Sequence, residues 1–149
     1  MQPMRRLLAG AVCANLVCLL AAVSTPSSVC AGTDLYDQLG GSAGIAAIID
    51  RFAVLVTTDD RTKADFDNIN MEWLKPRLRD YVCQIAGGPC HYKGRSMVAS
   101  HEGLDLNQAK FNAVAEDIQT AMEQVGISFW TQNRLLARLA PLQRDIVRR

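Results

Sequence analysis

From Gly32 to the C-terminus, apolar residues recur with helical period, and no segment alternates in the period-two manner of a half-buried strand. Ile45, Ile48, Ile49, Phe52 and Val56 share one helical face, introduced by Gly40-Gly41 and closed at Asp59-Asp60. Leu74, Leu78, Tyr81, Val82 and Ile85 form a second stripe that ends at Gly87-Gly88-Pro89. Pro76 falls inside it, so regular helix is expected from about Leu74, with 71–73 as an irregular turn. Phe111, Val114, Ala115, Ile118, Met122 and Val125 make the third stripe, with Asp105 and Gln108 spaced as a capping box and Gly126 as its stop. Leu135, Leu136 and Leu139 begin a fourth, which continues or kinks at Pro141 towards Ile146 and Val147. Four helices with short connections predict an all-α domain.

The segment before Gly32 is of another kind. Arg5 and Arg6 precede Leu7–Val23, a 17-residue apolar run interrupted by Asn15. Pro26, Ser27 and Ser28 end the run, and Val29-Cys30-Ala31 offers small residues for cleavage after Ala31. Residues 1–31 are therefore expected to be an export signal, which implies a periplasmic or extracellular protein. Membrane anchoring by residues 7–23 is the alternative. Loss of Arg5 and Arg6 would change the formal charge from +1 to −1, and neither value points to nucleic acid. Of the five cysteines, Cys83 and Cys90 lie beyond the signal. An even pair in an exported chain suggests a disulfide, whose loop of about 8 residues would contribute roughly 2.5 kcal/mol on the chain-entropy argument. Two free thiols remain the alternative.

Residues 87–101, GGPCHYKGRSMVASH, lack a long apolar period and hold both histidines. Connections of that length in compact domains tend to be functional. Cys90 and His91 are adjacent, and adjacent side chains rarely face one another as a nucleophile and base must. Two His and two Cys lack zinc-ligand spacing, and Cys-x-x-Cys-His, the covalent haem motif, is absent. A noncovalent haem on one neutral imidazole stays open, beside the plain alternative of a solvated loop histidine.

The order of residues resembles the group I truncated haemoglobins. The resemblance rests on Leu35-Tyr36-Asp37-Gln38-Leu39-Gly40-Gly41, Phe52, Asp59-Asp60, Phe66 and Asn70-Met71. It continues through Gly87-Gly88-Pro89, Tyr92-Lys93-Gly94, Met97, His101, Leu106, Phe111 and Ala140-Pro141-Leu142. It implies a two-over-two helical sandwich over residues 32–149 around haem b, iron protoporphyrin IX, binding oxygen, nitric oxide or carbon monoxide. By the same resemblance His101 is the proximal metal ligand and Phe66 packs flat on the porphyrin. Leu74 and Leu78 face the distal side, with Lys75 near a propionate. Tyr92, Met97, Leu106, Phe111 and Val114 line the remaining wall, and an extended loop replaces a helix on the proximal side. His91 matches no ligand position.

One departure bears on mechanism. Many members of that family carry a tyrosine directly after the Phe52 position and a glutamine on the distal helix, which hydrogen-bond the gas. Here the distal residues are Phe52, Ala53, Leu74 and Leu78, and none is a donor. Fast oxygen release and easy autoxidation are expected, unless Tyr81 or a water substitutes. A haem redox or nitric oxide detoxifying enzyme, served by an unidentified reductase, is the second functional class. A haem-free helical interaction module is the third.

Overall fold

The computed structural model describes residues 34–147. The expected export signal, residues 1–31, lies outside them. Helices α1 (Leu35–Gln38), α2 (Gly41–Thr58), α3 (Lys63–Phe66) and α4 (Met71–Ile85) form the first half. Helices α5 (Met97–His101), α6 (Gln108–Gln124) and α7 (Phe129–Leu139) follow, and a 3₁₀ turn, Ala140–Leu142, leads into α8 (Gln143–Ile146). Among the described residues there is no strand.

The four long helices follow the four apolar stripes. Ile45, Ile48, Ile49 and Val56 are almost wholly buried along α2, which packs against both α4 and α6. They meet Val82 and Cys83 of α4, Ile118, Ala121 and Met122 of α6, and Leu135 of α7 in one core. Leu35 and Leu39 of α1 complete it. The approach of α1 to α2 needs a residue without a side chain, because a Cβ on Gly44 would lie 1.9 Å from the Leu39 carbonyl oxygen.

Three local features differ from expectation. Helix α4 starts at Met71, three residues before the expected start, because the Asn70 side chain caps it by accepting from the Trp73 N–H at 3.1 Å. Pro76 sits inside on the exposed side, where the missing hydrogen bond leaves the Glu72 carbonyl open to water. The next carbonyl, of Trp73, accepts from Arg77 Nη1 at 2.7 Å. Helix α6 is capped by Asn107, which accepts from the Lys110 N–H, rather than by Asp105. Asp105 takes φ 48° instead and makes the turn before the helix, a conformation its short polar side chain tolerates. The connection after α4 is extended only as far as Ser96, whose hydroxyl accepts from the Ala99 N–H and starts α5.

Candidate functional site

Where α2, α4, α5, α6 and the C-terminal turns diverge, they enclose a cavity of about 430 Å³. Its walls are Ile49 and Phe52 of α2, Leu78, Tyr81 and Val82 of α4, Met97 and His101 of α5, and Phe111, Val114, Ala115 and Ile118 of α6. Leu136, Leu139, Ala140 and Ile146 close the remaining side. Polar groups are few: Tyr81, His101, and Asn112, Glu116 and Gln119 of α6. Such a space suits a large apolar ligand with one or two polar attachment points.

One of these polar groups is His101, half-buried at the end of α5. Its Nδ1 lies 2.8 Å from the carbonyl oxygen of Met97, one helical turn earlier. A carbonyl only accepts, so Nδ1 is the donor in this contact, and in the neutral tautomer that it selects Nε2 keeps its lone pair. That tautomer is the one a metal-binding imidazole needs, with the second nitrogen orienting the ring.

The segment leading to His101 is fastened to α4. Cys83 and Cys90 form a disulfide with Cα atoms 5.7 Å apart. Gly88 fits beneath it, since a Cβ there would come within 2.7 Å of Cys83 Sγ and 2.4 Å of the Tyr36 ring. Gln84 Oε1 accepts from the Tyr92 N–H at 2.8 Å, and the Tyr92 hydroxyl donates to the Arg95 carbonyl at 3.1 Å. The Tyr92 ring meets Tyr81 edge-on at 5.2 Å. Burial, with smaller contributions from Tyr92 and Asp145, raises the Tyr81 phenol above its ordinary range.

Of the residues singled out in the sequence, Phe52, Leu78, Met97, His101, Phe111 and Val114 come together on the cavity. Tyr92 stands behind Tyr81. Phe66, at the end of α3, is half-buried against the core, and Leu74 and Leu106 are half-buried but outside the cavity wall. Lys75 is paired with Glu72 at 2.6 Å and Asp50 at 3.4 Å. With Ala53 it lines a separate, shallower recess on another side of α2. Tyr81, Ile49, Leu136, Leu139 and Ile146 are cavity residues that periodicity alone marks as core. Among the described residues, no cluster of three His, Cys, Asp or Glu is arranged to hold a bare metal ion.

The bacterial-like globin family model matches residues 34–148. The chain belongs to that family. Within it, this globin resembles the group 1 truncated haemoglobins. It is 35% identical to that of Tetrahymena thermophila over 94 residues, 63% of this chain and 78% of the relative. It is 31% identical to one from a Nostoc species over 113 residues, 76% of this chain and 96% of the relative. The fold matches the crystal structure of Tetrahymena pyriformis truncated haemoglobin in its Fe(III) form, with a TM-score of 0.74 at 27% identity, over 77% of this chain and 98% of that one. It also matches a Synechococcus 2/2 haemoglobin with covalently attached haem, with a TM-score of 0.72 at 26% identity, over 78% of this chain and 99% of that one. The chain is thus a truncated globin, and the family implies haem as cofactor and gas binding as its general role. The cavity agrees with that cofactor: its walls are largely apolar, and it holds one imidazole, whose Nδ1 is engaged by the Met97 carbonyl.

Proposed function

We propose that this globin holds haem b noncovalently, with His101 Nε2 as the axial ligand, and reversibly binds a diatomic gas such as oxygen, nitric oxide or carbon monoxide. The observation that carries the reading is the His101 ring, oriented by the Met97 carbonyl at the edge of an apolar cavity of about 430 Å³. When bound, haem would supply the iron at which a small gas is held. The chain's residues supply the rest. Phe52, Leu78, Phe111 and Val114 give a dry apolar wall, and Met97 fixes the ligand ring. Keeping iron ferrous requires a reductant, so an unidentified reductase is the implied partner.

The Leu78 position supports fast oxygen release, and the Tyr81 hydroxyl on the same helix is the donor that would slow it. Leu78 has no hydrogen to donate, and Ala53, on the neighbouring recess, offers none either. A hydrogen bond to a partly charged gas is worth somewhat more than the roughly 0.5–1.5 kcal/mol of a neutral one, or about tenfold in release rate. The Cys83–Cys90 disulfide and the Leu7–Val23 run with Val29-Cys30-Ala31 support work outside the cytoplasm after export. The test is titration of residues 32–149 with hemin, then reduction and addition of carbon monoxide. A Soret band that saturates at one hemin per chain and shifts with carbon monoxide is expected. Absence of saturable uptake refutes the reading. Leu78→Gln should slow oxygen dissociation about tenfold, and an unchanged rate would remove Leu78 from the gas side.

A further inference from the structure

We propose that the outward face of α7 lies against an anionic lipid bilayer. Phe129 and Trp130, the first two residues of α7, are 64% and 80% exposed, more than any other large apolar side chain described. Trp130, Arg134 and Arg138 follow one another at four-residue intervals, so they share one face of the helix, with the small residues Asn133 and Ala137 between. All of these are exposed, as is Arg144 beyond the 3₁₀ turn.

The charge carried by α7 itself is of one sign. From Gly126 to Arg144 the sequence contains no Asp or Glu. Arg61, Lys63, Lys75, Arg79 and Lys110 all form ion pairs with carboxylates. Arg134 instead donates to the neutral amide oxygen of Gln38 at 2.6 Å, and Arg138 to the Ile85 carbonyl, so their hydrogen bonds are to neutral oxygens rather than to carboxylates. Each arginine near an anionic bilayer surface favours binding, and tryptophan and phenylalanine rings settle at the interface between headgroups and acyl chains. A soluble polyanion would use the arginines but gives no reason for the bare aromatic pair, which favours the bilayer. The chain also enters from this side. Gln38, in the first described turn, is bonded to Arg134, and the 33 residues before Asp34 include the apolar run Leu7–Val23. If that run is kept, it holds the domain at a membrane, and the first described turn, bonded to α7, is where the chain joins it.

Residues 32–149 serve as the test protein, because solved relatives matched over 98–99% of their own length consist of this domain alone. In a Trp73→Phe background Trp130 is the remaining tryptophan. Vesicles of phosphatidylcholine and phosphatidylglycerol in equal parts should sediment the protein at about 0.1 M salt and move the emission to shorter wavelength, while phosphatidylcholine alone should do neither. The double variant Arg134→Gln/Arg138→Gln should bind at least about tenfold more weakly. Phe129→Ser/Trp130→Ser, made with Trp73 intact, should lose about an order of magnitude in sedimentation. Circular dichroism should show that both double variants keep their helix content. Failure to sediment with the anionic vesicles overturns the proposal. So does binding without an emission shift, or an equal emission shift on adding heparin in place of lipid, which would make the face a site for soluble polyanions.

Discussion

Helix α6 has two halves built from one apolar stripe, and they have different fates. In the C-terminal half, Ala121 and Met122 are fully buried against α2 and α7, and Ile118, nearly buried, stands where this core meets the cavity. In the N-terminal half, Phe111, Val114 and Ala115 keep the same period but remain half-buried, because what they face is the cavity. The two halves are equally apolar and are separated by about two turns of helix. A closed core and a cofactor wall therefore share a sequence pattern. They differ only in whether the opposing helix is near enough to fill the space. Here α5 and the extended segment before it hold the far wall open, and the disulfide fixes that segment to α4.

Substitution in the closed half should cost the most. Met122→Ala leaves a hole among Ala121, Ile118 and Leu135, and is expected to lower stability by about 2–5 kcal/mol in urea unfolding. The link between the halves comes next. Replacing both Cys83 and Cys90 by Ser should cost about 2.5 kcal/mol from loop entropy, and reducing agent should reproduce the loss in the parent but not in the variant. Phe111→Ala, in the open half, should change the haem-free protein by less than about 1 kcal/mol, since little packs across from it. The same change should accelerate haem loss measurably. Equal costs for Met122→Ala and Phe111→Ala in the haem-free protein would erase the distinction between the halves.

The smallest expected effect lies where the halves meet. Asp117 of α6 is 5% exposed, and the Thr62 hydroxyl lies 3.2 Å from its carboxylate. Burial raises its pKa above the ordinary 3.8, and the neighbouring Asp59 adds to the rise. A carboxyl group raised in the folded state contributes stability that is full below its unfolded value and is lost as pH climbs through the folded one. Asp117→Asn should therefore be more stable than the parent at pH 7, and the gap should close as pH is lowered towards 3.8. A gap that is constant with pH would mean that Asp117 is not charged at a cost in the fold.

The architecture was legible in the sequence because four stripes at helical period leave few ways to bury themselves, and α2, α4, α6 and α7 follow those stripes. The ends were read less well. Pro76 reads as a helix breaker, although the Asn70 cap and an exposed carbonyl make it tolerable, and Asp105 reads as a cap although the chain uses it for a left-handed turn. For the site, resemblance supplied Phe52, Leu78, Met97, His101, Phe111 and Val114, which meet on one cavity. Periodicity could not supply Tyr81, Leu136 or Ile146, because a cavity residue and a core residue carry the same apolar signature until the opposing wall is known. Lys75, which the resemblance puts near a propionate, is paired with Glu72 and Asp50, a detail that depends on which carboxylates the fold brings near.

The account turns on the proposal that the half-buried His101 ligates haem in this cavity. It is tested most directly by the absorption spectra of hemin-loaded residues 32–149 and of the His101→Gly variant, in the oxidised, reduced and carbon-monoxide-bound states, with and without added imidazole. The account predicts a histidine-ligated spectrum in the parent, its loss in the variant, and its recovery when imidazole refills the space. A variant spectrum identical to the parent's, with no response to imidazole, would contradict it.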